Sequence, residues 1–332
     1  MHLDKYILVL SAFIIGVSCS HFLDQEWVAW KTKHEKNYAT SYDETFRRKA
    51  WEATWHKVQE HNQKYEQRLT KYTMGMNKFA DMTPEERSLK SCLSPKGKSI
   101  FPGVNYHLQD NSKNLDLPES VDWRDSKCVS HVKNQGLCGS CWSFATVGVV
   151  ESRNCIKTNE LVELSEQQLV DCDDENKACC GGDPATAMNY VARNGLMKAT
   201  DYEYADRQAR CSYKLDKSLT FNVSKYYKML GEGNIASSLA LEGPVAVSIE
   251  VSDDFQMYKE GIFTGECGEN LNHAVIVVGY GTEYDEEEND NVDYWIVKNS
   301  WGDDWGENGY VRMKRNDNLC GIGLEGAAID LI

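Results

Sequence analysis

Two thiols three residues apart, Cys138 and Cys141, lie in the run Gln135-Gly136-Leu137-Cys138-Gly139-Ser140-Cys141-Trp142-Ser143-Phe144. Four chemistries use such a pair: a structural disulfide, a dithiol redox motif, half of a zinc site, or a nucleophile with an unrelated neighbour. After Cys141 come Phe144, Ala145, Val147, Gly148, Val149 and Val150, then polar Glu151-Ser152-Arg153-Asn154. That pattern predicts a buried helix starting near Ser140. Its first turn offers N–H groups and partial positive charge, which favour thiolate over thiol and lower a cysteine below its free pKa of about 8.5. The same N–H groups can hold a developing oxyanion. Local spacing alone leaves the four chemistries open.

Two distant side chains decide among them. His273 heads the apolar run Ala274-Val275-Ile276-Val277-Val278, which reads as a buried strand and supplies the base a thiol nucleophile needs. A second apolar strand, Tyr294-Trp295-Ile296-Val297-Lys298, ends in Asn299-Ser300-Trp301. Asn299 could orient the His273 ring, and Trp301 could shield that hydrogen bond from water. A lone histidine is usually structural and an Asn-Ser turn usually just a turn. Together with Cys141 they point to a thiol nucleophile.

On these residues the chain resembles the papain-like cysteine proteases, specifically their cathepsin L-like branch, over nearly its full length. The resemblance implies that Cys141 is the nucleophile, His273 its general base and acid, and Asn299 the orienting residue. Gln135, six residues before the nucleophile, would donate to the oxyanion with the Cys141 backbone N–H. The implied fold is α+β and two-lobed, with a helical left lobe and an antiparallel β-barrel right lobe. Strands read over Pro244–Ile249, the His273 and Asn299 runs and Gly309–Met313 fit such a barrel. The active site is expected where the halves meet.

The elements that carry this site divide the chain into three. Residues 1–20 form a short apolar stretch closed by small residues, as in a cleaved signal peptide, and no later stretch could span a membrane. Residues 21–114 read as helices followed by a looser stretch, and resemble a prosegment. Glu44, Arg48, Trp51, Val58 and Asn62 follow the helical family motif ERFNIN, with Trp51 for its Phe and Thr54 for its second-last Asn. Gly75, Asn77, Phe79 and Asp81 match the companion G-x-N-x-F-x-D motif. Either motif alone could be an ordinary amphipathic helix or a turn; in this order they imply an inhibitory, chaperoning propeptide. Residues 115–332 would be the mature enzyme, beginning just before Leu117-Pro118-Glu119-Ser120.

Charge divides along the same line. Residues 21–114 carry 16 Lys and Arg against 12 Asp and Glu, and residues 115–332 carry 19 against 38. Attraction between the two parts should hold the prosegment near neutral pH and weaken as carboxylates are protonated. An enzyme this acidic is a poor partner for nucleic acid. The run Glu283-Tyr284-Asp285-Glu286-Glu287-Glu288-Asn289-Asp290 reads as a solvated loop between strands.

Twelve cysteines behind a leader suit an oxidising compartment, lysosomal or extracellular. The resemblance implies the pairs Cys138–Cys179, Cys172–Cys211 and Cys267–Cys320. Cys128 and Cys155 sit where cathepsin B carries an extra bridge. Cys180 is left over, and a disulfide from it to Cys92 of the prosegment is a minor alternative to an inert thiol. The resemblance also places Gly139, Gly181, Gly182, Asp183, Pro184, Ser248, Asn272, Ala274, Trp301 and Glu325 along the substrate cleft. Asp183, Pro184, Ser248, Ala274 and Glu325 surround the S2 pocket, which takes P2, the second residue before the scissile bond. Two carboxylates there, at Asp183 and Glu325, would accept Arg as well as apolar residues. Asn222-Val223-Ser224 is a glycosylation sequon, with Asn222 the acceptor. No metal or cofactor is called for. Partners would be protein and peptide substrates, the chain's own propeptide and cystatin-like inhibitors, with the enzyme a monomer. Rival readings are a catalytically dead binding protein of the same fold and a disulfide oxidoreductase using Cys138 and Cys141.

Overall fold

The computed structural model describes residues 22–89, 105–107, 116–286 and 289–332, so the apolar leader and Cys92 lie outside the described residues. Helix α1 (residues 22–33) and α2 (Ser41–Glu66) pack through an indole core of Trp27, Trp30 and Trp51 with Leu23 and Ala80. The Arg48 guanidinium lies over the Trp27 and Trp51 rings. Thr40 caps α2 by accepting from the Asp43 N–H at 3.1 Å. Trp51, Thr54 and Val58 are the buried residues of α2, and their spacing of three and four places them on one face. One turn later Asn62 grips the backbone of Met74 from both sides, donating to its carbonyl at 3.0 Å and accepting from its N–H at 2.9 Å. The ERFNIN positions thus build a helix whose inner stripe fixes strand β1 (Tyr72–Met74). Helix α3 (Pro84–Leu89) and strand β2 (Asn105–His107) follow.

Beyond residue 116, β3 (Val121–Asp122) precedes three helices, α4 (Cys141–Thr158), α5 (Glu166–Cys172) and α6 (Pro184–Asn194). The short strands β4 (Leu196–Met197) and β5 (Ser218–Leu219) pair with each other. Then come β6 (Val223–Met229), α7 (Glu232–Glu242), β7 (Val245–Ile249), α8 (Asp253–Gln256) and β8 (Tyr258–Phe263). The chain ends with β9 (His273–Asp285), β10 (Asp290–Lys298), β11 (Tyr310–Lys314) and β12 (Gly326–Leu331). One sheet runs in the order β1-β8-β11-β10-β9-β7-β12-β6-β2, with β3 beside β9. Its pairings are antiparallel except β8 with β11 and β2 with β6. The expected strands are all present.

Strand β9 is buried on both faces, which is why it reads as a continuous apolar run rather than an alternation. Val275 and Val277 join the core beneath α7 and α8, whereas Ala274, Ile276 and Val278 join the core against α4. Helix α4 comes so close that a Cβ on Gly148 would lie 2.4 Å from Ile276 Cδ1. The acidic run departs from expectation: β9 continues into it as far as Asp285, whose carboxylate pairs with Lys71 of the prosegment. Glu283 holds Arg312 at 2.5 Å. Like charges that would repel in a free loop are tied down by cations from two directions.

Four disulfides link Cys128–Cys155, Cys138–Cys179, Cys172–Cys211 and Cys267–Cys320. Among the described residues, buried Cys141 and exposed Cys180 lie outside these disulfides. Among those residues no helix is long and apolar enough to cross a membrane.

Candidate active site

Cys141 is the first residue of α4 and is fully buried. Ser140 occupies the N-cap position but makes no side-chain cap; its hydroxyl instead meets Tyr204 Oη at 2.7 Å. The loop leading in is heavily pinned. Gly139 N–H donates to the Cys179 carbonyl at 3.0 Å, alongside the Cys138–Cys179 bridge. Leu137 and Cys138 N–H groups both donate to Asp206 Oδ1, at 2.7 and 2.8 Å. Gly136 adopts φ +63°, and a Cβ there would fall 2.3 Å from the Asp206 carboxylate, so only glycine fits. Trp142 Nε1 donates to the Ala178 carbonyl at 3.0 Å.

His273 opens β9, with its ring fully buried and Nε2 2.8 Å from Asn299 Oδ1. The same Oδ1 accepts the Ser300 N–H at 2.8 Å, which fixes the amide orientation. An acceptor oxygen facing Nε2 means that Nε2 carries the proton in neutral His273 and Nδ1 presents a lone pair. Nδ1 is buried with no hydrogen-bond partner among the described residues. The Trp301 indole stacks on the imidazole, centroids 4.8 Å apart, and covers the bond to Asn299. Burial pushes the His273 pKa down to about 4, with the Asn299 bond opposing.

The helix and strand origins converge. Phe144 and Ala145, within the first turn after Cys141, share a cavity of about 20 Å³ with Ala274 and Asn299. Gln135 stitches the two loops together: its N–H donates to the Ser300 carbonyl at 2.9 Å and its Oε1 accepts from Ser300 Oγ at 2.7 Å. Its Nε2 donates to the Cys138 carbonyl at 3.0 Å. The Gln135 amide therefore joins the loop that leads into α4 to the turn after β10, where Asn299 holds the His273 ring.

A family model described as papain family cysteine protease matches residues 117–329, and one described as cathepsin propeptide inhibitor domain (I29) matches residues 27–87. The chain belongs to the papain family of cysteine proteases. It is 38% identical over 325 residues to a cathepsin L-like proteinase of Fasciola hepatica, covering 95% of each chain. It is 39% identical over 333 residues to human cathepsin L2, covering 95% of this chain and 96% of that one. The structure of digestive procathepsin L2 proteinase from Tenebrio molitor larval midgut superposes with a TM-score of 0.85 at 36% identity, covering 93% of this chain and all of that one. The protease is thus a cathepsin L-like zymogen, a cysteine endopeptidase inhibited by its own propeptide.

Each position of the G-x-N-x-F-x-D motif has a task in this zymogen. Gly75 N–H donates to the Met257 carbonyl at 2.8 Å, where a Cβ would crowd Lys259 Cβ at 3.3 Å. Asn77 Nδ2 donates to the Gln256 carbonyl at 2.7 Å. Phe79 meets Trp301 edge to face at 5.4 Å, on the ring that stacks over His273. Asp81 stays within the prosegment, accepting from Lys36 Nζ and Tyr38 Oη, each at 2.9 Å.

Of the residues expected around S2, Ser248, Ala274 and Glu325 are neighbours in the sheet, and Asp183 departs from expectation. Ser248 pairs with Ala274, and its N–H donates to the Glu325 carbonyl at 3.0 Å. Pro184 opens α6, one residue beyond the buried Gly181-Gly182 pair. Asp183, expected as a second carboxylate facing substrate, is instead the N-cap of α6. Its Oδ1 accepts from the Thr186 N–H at 3.0 Å and its Oδ2 lies 2.7 Å from Lys228 Nζ. A helix start needs an acceptor at this position, and a buried carboxylate needs a cation. The side chain of Asn272 is likewise engaged, bracing Val251 N–H at 2.7 Å.

The sequence reading did not single out a buried ionic cluster beside the site. Lys133 Nζ bridges Glu151 and Glu166 at 2.7 and 2.6 Å, and Ser130 Oγ donates to Glu151 at 2.6 Å. Lys298, next to Asn299, donates to the Ser130 carbonyl at 2.8 Å; burial lowers its pKa to about 8. Charged residues at the ends of two apolar runs were the available signal. They look like helix and strand ends until the second lobe is packed against them.

Proposed function

We propose that Cys141, His273, Asn299 and Gln135 carry the protease's reaction. The Cys141 thiol gives its proton to His273 Nδ1, and the thiolate attacks a substrate peptide carbonyl to form a C–S bond. The oxyanion is held by Gln135 and the α4 N-terminus. His273 then returns the proton to the departing amine as the C–N bond breaks, and water hydrolyses the thioester. Asn299 keeps Nε2–H engaged throughout, so Nδ1 is the nitrogen that cycles. The observation that carries this reading is the His273–Asn299 bond, with Nδ1 buried and without a hydrogen-bond partner among the described residues.

The Cys138–Cys179 bridge argues against an oxidoreductase in which Cys138 serves as resolving thiol for Cys141. The finer reading has residues 1–20 removed as a signal peptide, 21–114 released as propeptide in an acidic compartment, lysosomal or extracellular, and 115–332 acting as a monomer open to cystatin-like inhibitors. Asn222, exposed near the C-terminal strand, is the candidate glycan acceptor. Glu325 is the candidate partner for Arg at P2.

The test is labelling of the activated enzyme with an epoxide that captures a Cys–His thiolate. One equivalent is expected on Cys141, with activity lost in parallel, and neither label nor activity in Cys141→Ala. Activity surviving in Cys141→Ala would refute the assignment.

A further inference from the structure

Tyr204 and Asp206 follow β4 in the helical lobe, and both reach into the loop that leads to Cys141. Tyr204 Oη lies 2.7 Å from the Gln135 carbonyl oxygen and 2.7 Å from Ser140 Oγ, so it spans that loop from end to end. A phenol has one proton. The carbonyl only accepts, so Tyr204 donates to Gln135 and Ser140 Oγ donates to Tyr204. Burial holds the phenol well above its ordinary pKa, which keeps that proton in place. The ring meets Phe144, in the first turn of α4, edge to face at 4.9 Å.

Asp206 works from the surface. Its Oδ1 accepts the Leu137 and Cys138 N–H groups, a charge-assisted pair of contacts. The residue adopts φ +55°, a left-handed backbone that aspartate tolerates better than most side chains. Gln167 of α5 fixes this turn on both sides, accepting from the Ala205 N–H and donating to the Arg207 carbonyl, each at 2.8 Å.

We propose that Tyr204 and Asp206 are positioning residues for the oxyanion site, setting where the Gln135 amide and the Cys141 N–H stand when a substrate carbonyl becomes tetrahedral. The inference rests on the reading of Cys141 as nucleophile and Gln135 as oxyanion donor. Such donors act only when aimed at the place where charge develops, and a displacement of about 1 Å can cost about a hundredfold in rate. Gln135 is tied to the turn after β10 through Ser300, and Cys138 is tied to Cys179. Tyr204 joins Gln135 to Ser140, and so sets the span between the amide and the helix start.

The experiment compares two reactions of Cys141 in processed enzyme. Peptide hydrolysis passes through an oxyanion, whereas alkylation by iodoacetamide does not, because the thiolate forms its C–S bond as iodide leaves with the C–I electron pair. Tyr204→Phe should lower kcat and kcat/KM together by about tenfold to a hundredfold, with KM nearly unchanged. Its rate of Cys141 alkylation, read by peptide mapping so that Cys180 is scored apart, should stay within about twofold of the parent. Asp206→Gly removes the carboxylate without straining the left-handed backbone, and should cost only a few-fold because water reaches those N–H groups. Asp206→Asn should recover most of that loss, its amide oxygen accepting from the same two donors. If hydrolysis and alkylation fall together, the segment acts on the thiolate or on the fold, and the inference is overturned. Parental kcat in Tyr204→Phe overturns it as well, while leaving Cys141 as nucleophile. Activity surviving in Cys141→Ala would instead remove the reading on which the inference stands.

Discussion

The prosegment–enzyme seam and the seam between the two lobes are both laced with ion pairs, but they are built differently. Between the lobes the charges are sealed, Asp183 with Lys228 and Arg153 with Asp330 at 2.6 Å, and beside them Lys133 holds Glu151 and Glu166 within the helical lobe. Arg153 also reaches the Pro244 carbonyl at 3.0 Å and Ser238 Oγ at 2.8 Å. Under the prosegment, Lys57 meets Asp253 and Asp254 at 2.6 and 2.5 Å, and Lys78 meets Asp304 at 2.7 Å, with side chains a fifth to two-fifths exposed. Arg87 is the inward exception, reaching Asp253 at 2.5 Å. Water can replace partners at the second seam and cannot at the first. One seam is made to persist and the other to part.

The largest effect should come from breaking a sealed pair from one side. Lys133→Met strands the buried Glu151 and Glu166 and should cost about 3–5 kcal/mol of stability, read as a fall in the urea midpoint of the mature enzyme. Asp253→Asn should leave that midpoint nearly unchanged while weakening inhibition by added prosegment about tenfold, since Lys57 and Arg87 both lose a charged acceptor. An equal stability loss in the two variants would erase the distinction between the seams.

Acid should act on the parting seam alone. His273, lowered by burial to about 4 in the closed zymogen from an ordinary 6.5, resists the proton that an opened site accepts. The closed state is therefore favoured fully above pH 6.5 and loses that advantage as pH falls from 6.5 towards 4. Burial alone would raise Asp253, but Lys57 and Arg87 hold it below the ordinary carboxylate value, so its contribution disappears at still lower pH. Histidine NMR on Cys141→Ser protein should find His273 titrating near 4 with the prosegment present and higher after its removal. Identical titrations would exclude this route to opening. The smallest effect is expected from Lys71→Met at the acidic hairpin, a change in prosegment affinity of no more than a few-fold, screened by salt.

Much of this was legible because local pattern and burial agree. The run after Cys141 is apolar enough to require enclosure, β9 is apolar on both faces, and Trp51, Thr54 and Val58 fall on one helical stripe. What stayed hidden depends on a second surface. Glu151 and Arg153 read as the wet end of α4, yet both are buried, Glu151 against Lys133 and Ser130 and Arg153 against Asp330 and the Pro244 carbonyl of the other lobe. Asp183 read as a pocket carboxylate because its motif position says nothing of Lys228, forty-five residues later. The Asp285 hairpin read as solvent-facing because its cation belongs to the prosegment.

The order of the sheet has a consequence for biogenesis. Its first and last strands, β1 and β2, both come from the prosegment, so the enzyme folds with the lateral edges of β8 and β6 already occupied. Unpaired strand edges invite other chains to pair with them, a hazard greatest while a protein is newly made and crowded. A segment seated on both borders guards the polypeptide from its neighbours as well as its neighbours from the polypeptide, and its release would expose two adhesive edges.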